Sequence, residues 1–487
     1  MMIDRYEALA GIPFEGGYPA SESALVLDEE LYFQRATQVY LWALPAMNMF
    51  AMKEGLQKVA GTGYNVMSVF EKRLKPNTVI TTPNSDVIYG LTFADLSATG
   101  PLVLEVPPRL QALMDDFWHR PLTGPVIDGR RYLGDVGIPG PDRGKGGRYL
   151  IVPDGYEGDT EGYFAFTCPT HGVFIFVRGF FSSVENLKPG VASVESLMIR
   201  PLEGGVEPMR FEHVSDLPAN ALFPADGVYF EMLDRFIRSE PSDAVDPYMH
   251  GMLAALGIAK GQTFAPTDRQ RELLDLAAHT GWRMAKNIAG NFDGQDKALW
   301  WSDRRWVAHV KTEPDDFMHT LLDEQWRDRT TGHTDVDAKA HMFINHYSIS
   351  TGMMSSIVGM GAKYGNAYKD SDGAYLKGEN TYRLDMPPNP PANLFWSVTL
   401  YDAETAGGVD AEGQEYPSLN SMNDLDCNSD GSVTFHIGPN PPVGAKNWLK
   451  TVPGRGWFSL FRFYGPDQEF FDGKYRPGDF VKVDPRS

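Results

Sequence analysis

Several features whose presence would name a function class are missing from the sequence. Only two cysteines occur, Cys168 and Cys427, far apart, so neither a disulfide framework nor a cysteine-rich metal site is indicated. No apolar run reaches the roughly eighteen residues that a membrane-spanning helix needs. Basic residues are outnumbered, 44 Lys and Arg against 64 Asp and Glu, and the resulting formal charge of −20 repels polyanions. Nucleic acid and anionic membrane surfaces are therefore not expected as partners. No G-x-S-x-G nucleophile elbow, no G-x-G-x-x-G loop between a strand and a helix, and no H-E-x-x-H pair is present. Two near-matches fail on detail. In "GPDRGKGG" Lys145 precedes Gly146 where a phosphate-binding loop needs Ser or Thr. In "DCNSDGSVTF" Asp426, Asn428 and Asp430 alternate before Gly431, but a calcium loop's closing acid is replaced by Ile437, so a hairpin turn is expected. The opening stretch "MMIDRYEALAGIPFEGGYPA" lacks the basic start and apolar core of a signal peptide, which gives the expectation of a cytoplasmic location.

What is present is a chain of 487 residues, 42% apolar, long enough for two or three domains. From Asp28 to about Ala60 apolar residues recur at helical spacing, with Asp28 a candidate cap and Pro45 a break, which predicts two consecutive helices. From 61 to 217 the pattern becomes short apolar runs punctuated by Gly and Pro: "NTVITTP", "DVIYGLTF", "GPLVLEVPP", "GRYLIVPDGY", "GYFAFTCP" and "GVFIFVRGFF". Strands at this spacing without intervening helices predict an antiparallel sandwich. From 218 to 369 the period is helical again. Thr267 and Gln270 stand at capping-box spacing, and "AKAHMFINHYSISTGMMSSIVGM" reads as one long helix. From 370 to 487 strands return in "NTYRLDM", "NLFWSVTLYD", "GSVTFHIG" and "GWFSLFRFY", a second β-sandwich.

"TTPNSDVIYG" followed by "FADLSATGPLVLEVPP" resembles the bacterial domain of unknown function numbered 1254. "GENTYRLDMPPNPPANLFWSVTLYDAET", "DGSVTFHIGPNPP" and "NWLKTVPGRGWFSLFRFYGP" resemble its usual carboxyl-terminal companion, the domain numbered 1214. The resemblance implies an immunoglobulin-like β-sandwich, a helical segment and a jelly-roll domain. It implies no defined activity. Many members resemble exported proteins with signal sequences, and this chain departs from them there.

Candidate site residues follow from the same stretches. Asn84 and Asp86 enter a strand on which Val87, Tyr89, Leu91 and Phe93 share one face, and they match the resemblance residue by residue. They either converge on a ligand or bond to nearby backbone as turn residues. Trp396, Tyr401, Tyr382, Asn447 and Trp448 join apolar bodies to polar tips, suited to a pocket for an amphiphilic molecule, or simply to a hydrogen-bonded core. Arg304 and Arg305, among Trp300, Trp301 and Trp306, could clamp a carboxylate or stack on a ring, the plainer alternative being an ion pair with Asp303 or Glu313. His341 and His346 would need a further ligand to hold a metal, and no metal or cofactor is expected. The leading expectation is an enzyme acting on a small, partly apolar organic molecule by cofactor-independent acid–base chemistry, hydrolysis first among the reactions. Asp86 would be the general acid or base, Asn84 and Tyr89 would orient substrate, and the site would lie between the two β domains and the helical domain. The alternatives are a non-catalytic binding or assembly protein, with sandwich edges able to pair into a homo-oligomer, and a metal-dependent enzyme using the helical-domain histidines.

Overall fold

The computed structural model describes residues 3–292, 299–308, 331–354 and 357–483. Two helices, Ser21–Trp42 and Leu44–Ala60, meet at Ala43. Pro45 sits in the first turn of the second, where its missing N–H costs no intrahelical bond, so the expected break is found. Asp28 caps nothing: the first helix starts earlier, at Ser21, and Asp28 lies inside it. From Leu44 to Met52 the second helix is buried on every side, as a helix apolar around its circumference must be, and its one polar residue there is Asn48.

The amino-terminal β region forms two six-stranded sheets. One has the order Met198–Pro201, Leu102–Val106, Gly147–Pro153, Phe164–Cys168, Thr123–Ile127, Arg130–Leu133; the other has Arg210–His213, Val66–Phe70, Ile88–Asp95, Gly172–Gly179, Gln111–Asp116, Asp135–Gly137. Met67, Ile88, Ile175, Leu104, Tyr149 and Phe166 fill the space between them. Strand alternation then sends Tyr89, Leu91, Phe93, Phe174 and Phe176 to the opposite face of the second sheet, against the helices. That sheet is covered on both sides, which is why the Gly172–Gly179 strand is buried at every position. The predicted antiparallel pattern is interrupted by two parallel pairs, Gly147–Pro153 with Phe164–Cys168 and Val66–Phe70 with Arg210–His213. The predicted strand over 77–83 does not form. Thr82 has φ 40°, incompatible with an extended strand, and Val79 takes its backbone partners from Ala219 and Ala221.

In the helical region Asp268–Gly290 begins with the predicted Thr267–Gln270 capping box and packs on Ser21–Trp42 and on Val336–Asn345. The single long helix expected over 338–360 is instead Val336–Asn345, an irregular segment with Ser348 at φ 61°, and the short turn Thr351–Met354. The backbone N–H groups of Ser348, Ile349 and Gly352 donate to His119, Asp115 and Asp135 rather than continuing the helix. Among the described residues no helix is long and apolar enough to cross a membrane.

The carboxyl-terminal region stacks a five-stranded sheet (Val307–Ala308, Ala362–Ala367, Trp457–Pro466, Ala392–Asp402, Ser418–Asn420) on a four-stranded one (Trp448–Lys450, Val433–Gly438, Thr381–Met386, Val481–Val483). Two of the strands in the larger sheet come from before residue 370, the point where the sequence pattern alone puts the return to strands. Leu384, Trp396, Val398, Phe435 and Phe461 pack between the sheets. The other face of the larger sheet carries Phe395, Tyr401, Phe458, Leu460 and Tyr464, which join the same core cluster as Tyr89, Phe176 and the helices. Two sheets from opposite ends of the chain therefore share one central core.

Candidate functional site

The segment Thr81–Asp86 crosses that core, and the carboxyl-terminal sheet grips it residue by residue. The Thr82 N–H donates to Ala406 O at 2.6 Å, the Tyr401 hydroxyl to Pro83 O at 2.7 Å, and Arg462 Nη2 to Thr82 O at 3.2 Å. Asn84 Oδ1 accepts from the Asp86 N–H at 2.8 Å, the turn arrangement that short polar side chains after proline adopt. Asp86 then turns away: Oδ1 accepts from Arg73 Nη2 at 3.0 Å and Asn420 Nδ2 at 2.6 Å, and Oδ2 from Ser418 Oγ at 2.9 Å. Arg73 Nε also donates to Ser85 O at 2.8 Å, and its guanidinium stacks 4.1 Å from the centre of the Tyr416 ring. Asn84 and Asp86 do not converge on one ligand.

On the other side of the segment lies a cavity lined by Thr82, Asn84, Tyr89, Phe176, Arg178, Met342, His346, Tyr347, Met353, Tyr364, Leu460, Arg462 and Tyr464. Its space is about 40 Å³, room for roughly three water molecules. Each facing sheet contributes one arginine at a regular strand position. Arg178 pairs with Tyr89 across the amino-terminal sheet, and Arg462 stands between Tyr364 and Ser397 in the carboxyl-terminal one. Phe395 stacks on Tyr464 at 4.1 Å, Asn84 Nδ2 donates to the Tyr464 hydroxyl, and His346 Nδ1 lies 3.0 Å from Thr82 Oγ1. Burial pushes the phenols of Tyr89, Tyr347 and Tyr464 up, and both arginines work against it on all three. Tyr401 is pushed up to about 12 by burial, with Arg462 opposing. These phenols are neutral at ordinary pH, so the arginines supply the charge of the cavity wall.

A second polar cluster braces the segment after Val336–Asn345. His119 stacks on Phe343 at 5.1 Å, its Nδ1 accepts from the Ser348 N–H at 3.1 Å, and its Nε2 lies 3.1 Å from Asn48 Oδ1. Burial holds this imidazole neutral, down to about 3. Asp115 accepts from Ser348 Oγ and the Ile349 N–H, both at 3.2 Å, and Asp135 from the Gly352 N–H at 2.9 Å. Burial raises both carboxyls, Asp135 to about 6 and Asp115 well above the usual range, with Asp116 and Asp135 adding to the latter. Two lysines lie nearby: the buried Lys363 donates to Met353 O at 2.8 Å and the partly buried Lys286 to Asn345 Oδ1 at 2.7 Å, and desolvation lowers each to about 7.

Of the residues selected from sequence, Asn84, Tyr89 and His346 line the cavity and Tyr401 stands one hydrogen bond behind it, accepting from Arg462 at 2.7 Å. The others lie elsewhere. Trp396 and Tyr382 fill the carboxyl-terminal sandwich, where the Tyr382 hydroxyl accepts from the Lys377 N–H. Asn447 closes a turn by donating to Asp426 O and Thr434 O, Trp448 Nε1 donates to Gly438 O, and Arg304 pairs with Asp303 at 2.9 Å and donates to Pro477 O. Glu313, the other partner considered for the arginine pair, lies outside the described residues. His341 is held against the Tyr368 hydroxyl at 3.3 Å, and among the described residues no group of three or more metal-ligating side chains gathers. Asp426 to Gly431 form the expected turn, closed by the Asn428 N–H to Ser432 O. Sequence reasoning missed Arg178 and Arg462, although each is a lone charge in an apolar strand, "FIFVRGFF" and "SLFRFY".

The model of the family described as protein of unknown function DUF1254 matches residues 64–201, and that of protein of unknown function DUF1214 matches residues 361–468. The chain belongs to the family that pairs these two domains. The cavity of this paired-domain protein is lined from both matched regions and from the helical segment between them. No curated protein matches the chain. Among solved structures, the VPA0106 protein from Vibrio parahaemolyticus is 16% identical, covers 93% of this chain and 100% of its own, and superposes with a TM-score of 0.52, a likeness of fold alone. An uncharacterised protein from Burkholderia cenocepacia is 12% identical over 94% of this chain and 96% of its own, with a TM-score of 0.43, too low to support any inference.

Proposed function

We propose that the protein is an enzyme acting on a small, partly apolar organic molecule in this cavity by acid–base chemistry of its own side chains, with hydrolysis the favoured reaction. The two sandwiches are taken as immunoglobulin-like and jelly-roll respectively. The observation that supports the reading is the gathering of one imidazole with hydroxyl and amide groups from distant segments, His346, Thr82, Asn84, Tyr89 and Tyr464, around one buried space. In such a reaction His346 takes a proton from water, the hydroxide adds to an ester or amide carbonyl, and the leaving group departs with a proton. Tyr464 and Asn84 donate to the oxygen on which charge develops. Asp86, saturated by Arg73, Asn420 and Ser418, acts as an anchor for the segment rather than as the base.

The test is mass spectrometry of a pool of small esters, amides, lactones and organic acids incubated with wild type and with His346→Gln, each checked for folding by thermal melting. Depletion by wild type and loss of depletion in the variant is the expected result. Equal depletion by both removes His346 from the mechanism. The small volume of the cavity favours a second reading, a binder that returns its ligand unchanged, and wild type that retains a compound without consuming it would establish that reading instead.

A further inference from the structure

Arg178 and Arg462 are both at least nine-tenths buried, and neither has a carboxylate partner among the described residues. Arg178 is the less satisfied. Its Nη2 reaches only the thioether of Met353 at 3.3 Å, its Nε has no acceptor, and its guanidinium lies 5.1 Å from the centre of the Phe176 ring. Arg462 donates to Thr399 Oγ1 at 3.1 Å, Thr82 O at 3.2 Å and the Tyr401 hydroxyl at 2.7 Å, all neutral acceptors. Other arginines set into this fold are matched: Arg73 to Asp86 at 3.0 Å and Arg120 to Asp116 at 2.6 Å. A buried cation without an anion is costly, and folds normally pair it. Here two such cations act on the same three phenols, Tyr89, Tyr347 and Tyr464, across one cavity. No carboxylate among the described residues lines that cavity, and the Asp135 carboxyl, which feels Arg178, is already engaged by the Gly352 N–H.

We propose that the cavity receives a small organic monocarboxylate, its carboxylate held by Arg178 and Arg462 and its short apolar tail directed along Met342 and Met353. The inference rests on the reading that a small organic molecule occupies this cavity, and it names the class of the acid that hydrolysis of an ester or amide there would release. Guanidinium forks match a carboxylate's two oxygens, and the deficit of acceptors around Arg178 is what such an anion would fill. The tail's direction follows from continuity of the walls. Met342, Met353 and Tyr364 line both this cavity and a smaller, mainly apolar one completed by Trp300, Ile349, Met354 and Lys363, whose ammonium is engaged by Met353 O at 2.8 Å. Methionine side chains rearrange readily, so this wall can widen for an aliphatic or aryl group. The apolar continuation also favours an organic acid over inorganic phosphate.

The experiment is isothermal titration of the full chain with acetate, butyrate, benzoate and inorganic phosphate, and with butyramide and benzamide as neutral isosteres. The same titrations are run on Arg178→Met and Arg178→Lys. The expected result is that a carboxylate binds at least about tenfold more tightly than its amide, that Arg178→Met loses about tenfold to a hundredfold in affinity, and that Arg178→Lys falls between. If amides bind as tightly as acids and Arg178→Met leaves them unchanged, the charge is not read; the proposal fails while occupancy by a small molecule stands. Phosphate binding without carboxylate binding overturns the choice of carboxylate. No binding of any probe overturns both readings. The comparison of acid with amide is made on wild type and stands even where a variant does not fold.

Discussion

Two buried ionic arrangements flank Pro83, and they follow opposite rules. On one side Asp86 is met by Arg73, Asn420 and Ser418, so that the carboxylate's acceptors are used and the guanidinium is neutralised. On the other, Arg178 and Arg462 face a space with phenols, an amide and an imidazole but, among the described residues, no counter-ion. The first arrangement joins residues 332 and 334 positions apart and works as an interdomain clamp. The second leaves two guanidinium groups unmatched where the buried Arg73 and the largely buried Arg120 each meet a carboxylate, which is how a site differs from a joint. The largest effect expected from breaking this contrast is on the clamp side. Asp86→Ala leaves Arg73 buried without its anion and should cost about 3–5 kcal/mol in denaturant unfolding. A loss below about 1 kcal/mol would show that the clamp contributes no more than an exposed ion pair.

Acidity separates the regions further. Burial lowers Lys363 and Lys286 from 10.5 to about 7 in the folded protein. Between those values the unfolded chain holds protons that the folded one has released, so stability rises with pH across the window. Lys363, the fully buried one, should contribute on the order of 3 kcal/mol to that rise, and Lys363→Met should remove it in unfolding curves taken from pH 7 to pH 10. Asp135 has the opposite slope. Burial raises it from 3.8 to about 6, against the Gly352 N–H, Ser350, Arg178 and Arg130. The folded state therefore holds the proton longer, and its contribution is fully present below 3.8 and lost as pH rises through about 6. Asp135→Asn should abolish a fall of roughly 2–3 kcal/mol over that interval, measured by thermal melting at stepped pH. An unchanged pH profile would mean that Asp135 is not protonated in the fold.

Local rules carried much of this architecture. Alternation along "DVIYGLTF" separated Tyr89, Leu91 and Phe93 from Ile88, and the two faces do pack into different cores. The spacing of Thr267 and Gln270 gave the start of the longest helix among the described residues, and Pro45 gave the break between the first two long ones. What failed depended on distant partners. Asp86 looked available because Arg73, Ser418 and Asn420 enter its neighbourhood only through tertiary packing. The helix end at Asn345 was hidden because Asp115, His119 and Asp135, from another sheet, capture the N–H groups that would have continued it. Trp396 and Tyr382 carried the composition of a pocket and the register of a core, and strand register decided the outcome. The arginines had a legible signal, a single charge in an otherwise apolar strand. That they confront one another does not follow from either strand alone.

The smallest expected effect sharpens the contrast most. Arg178 makes no bond that the fold needs, since its acceptor is a thioether and its Nε is unused. Arg178→Met replaces an unmatched buried cation by an apolar side chain of similar reach, so the unliganded protein should change by about 1 kcal/mol or less, with a gain as acceptable as a loss. Arg462→Met should cost more, because it strips donors from Thr82 O and from the Tyr401 hydroxyl that holds Pro83. The same substitution at 178 removes a cation that now lowers the Asp135 carboxyl, which should then titrate above about 6 by carbon NMR. A loss of several kcal/mol in Arg178→Met would make that residue a second clamp, and the distinction between the two sides of Pro83 would collapse.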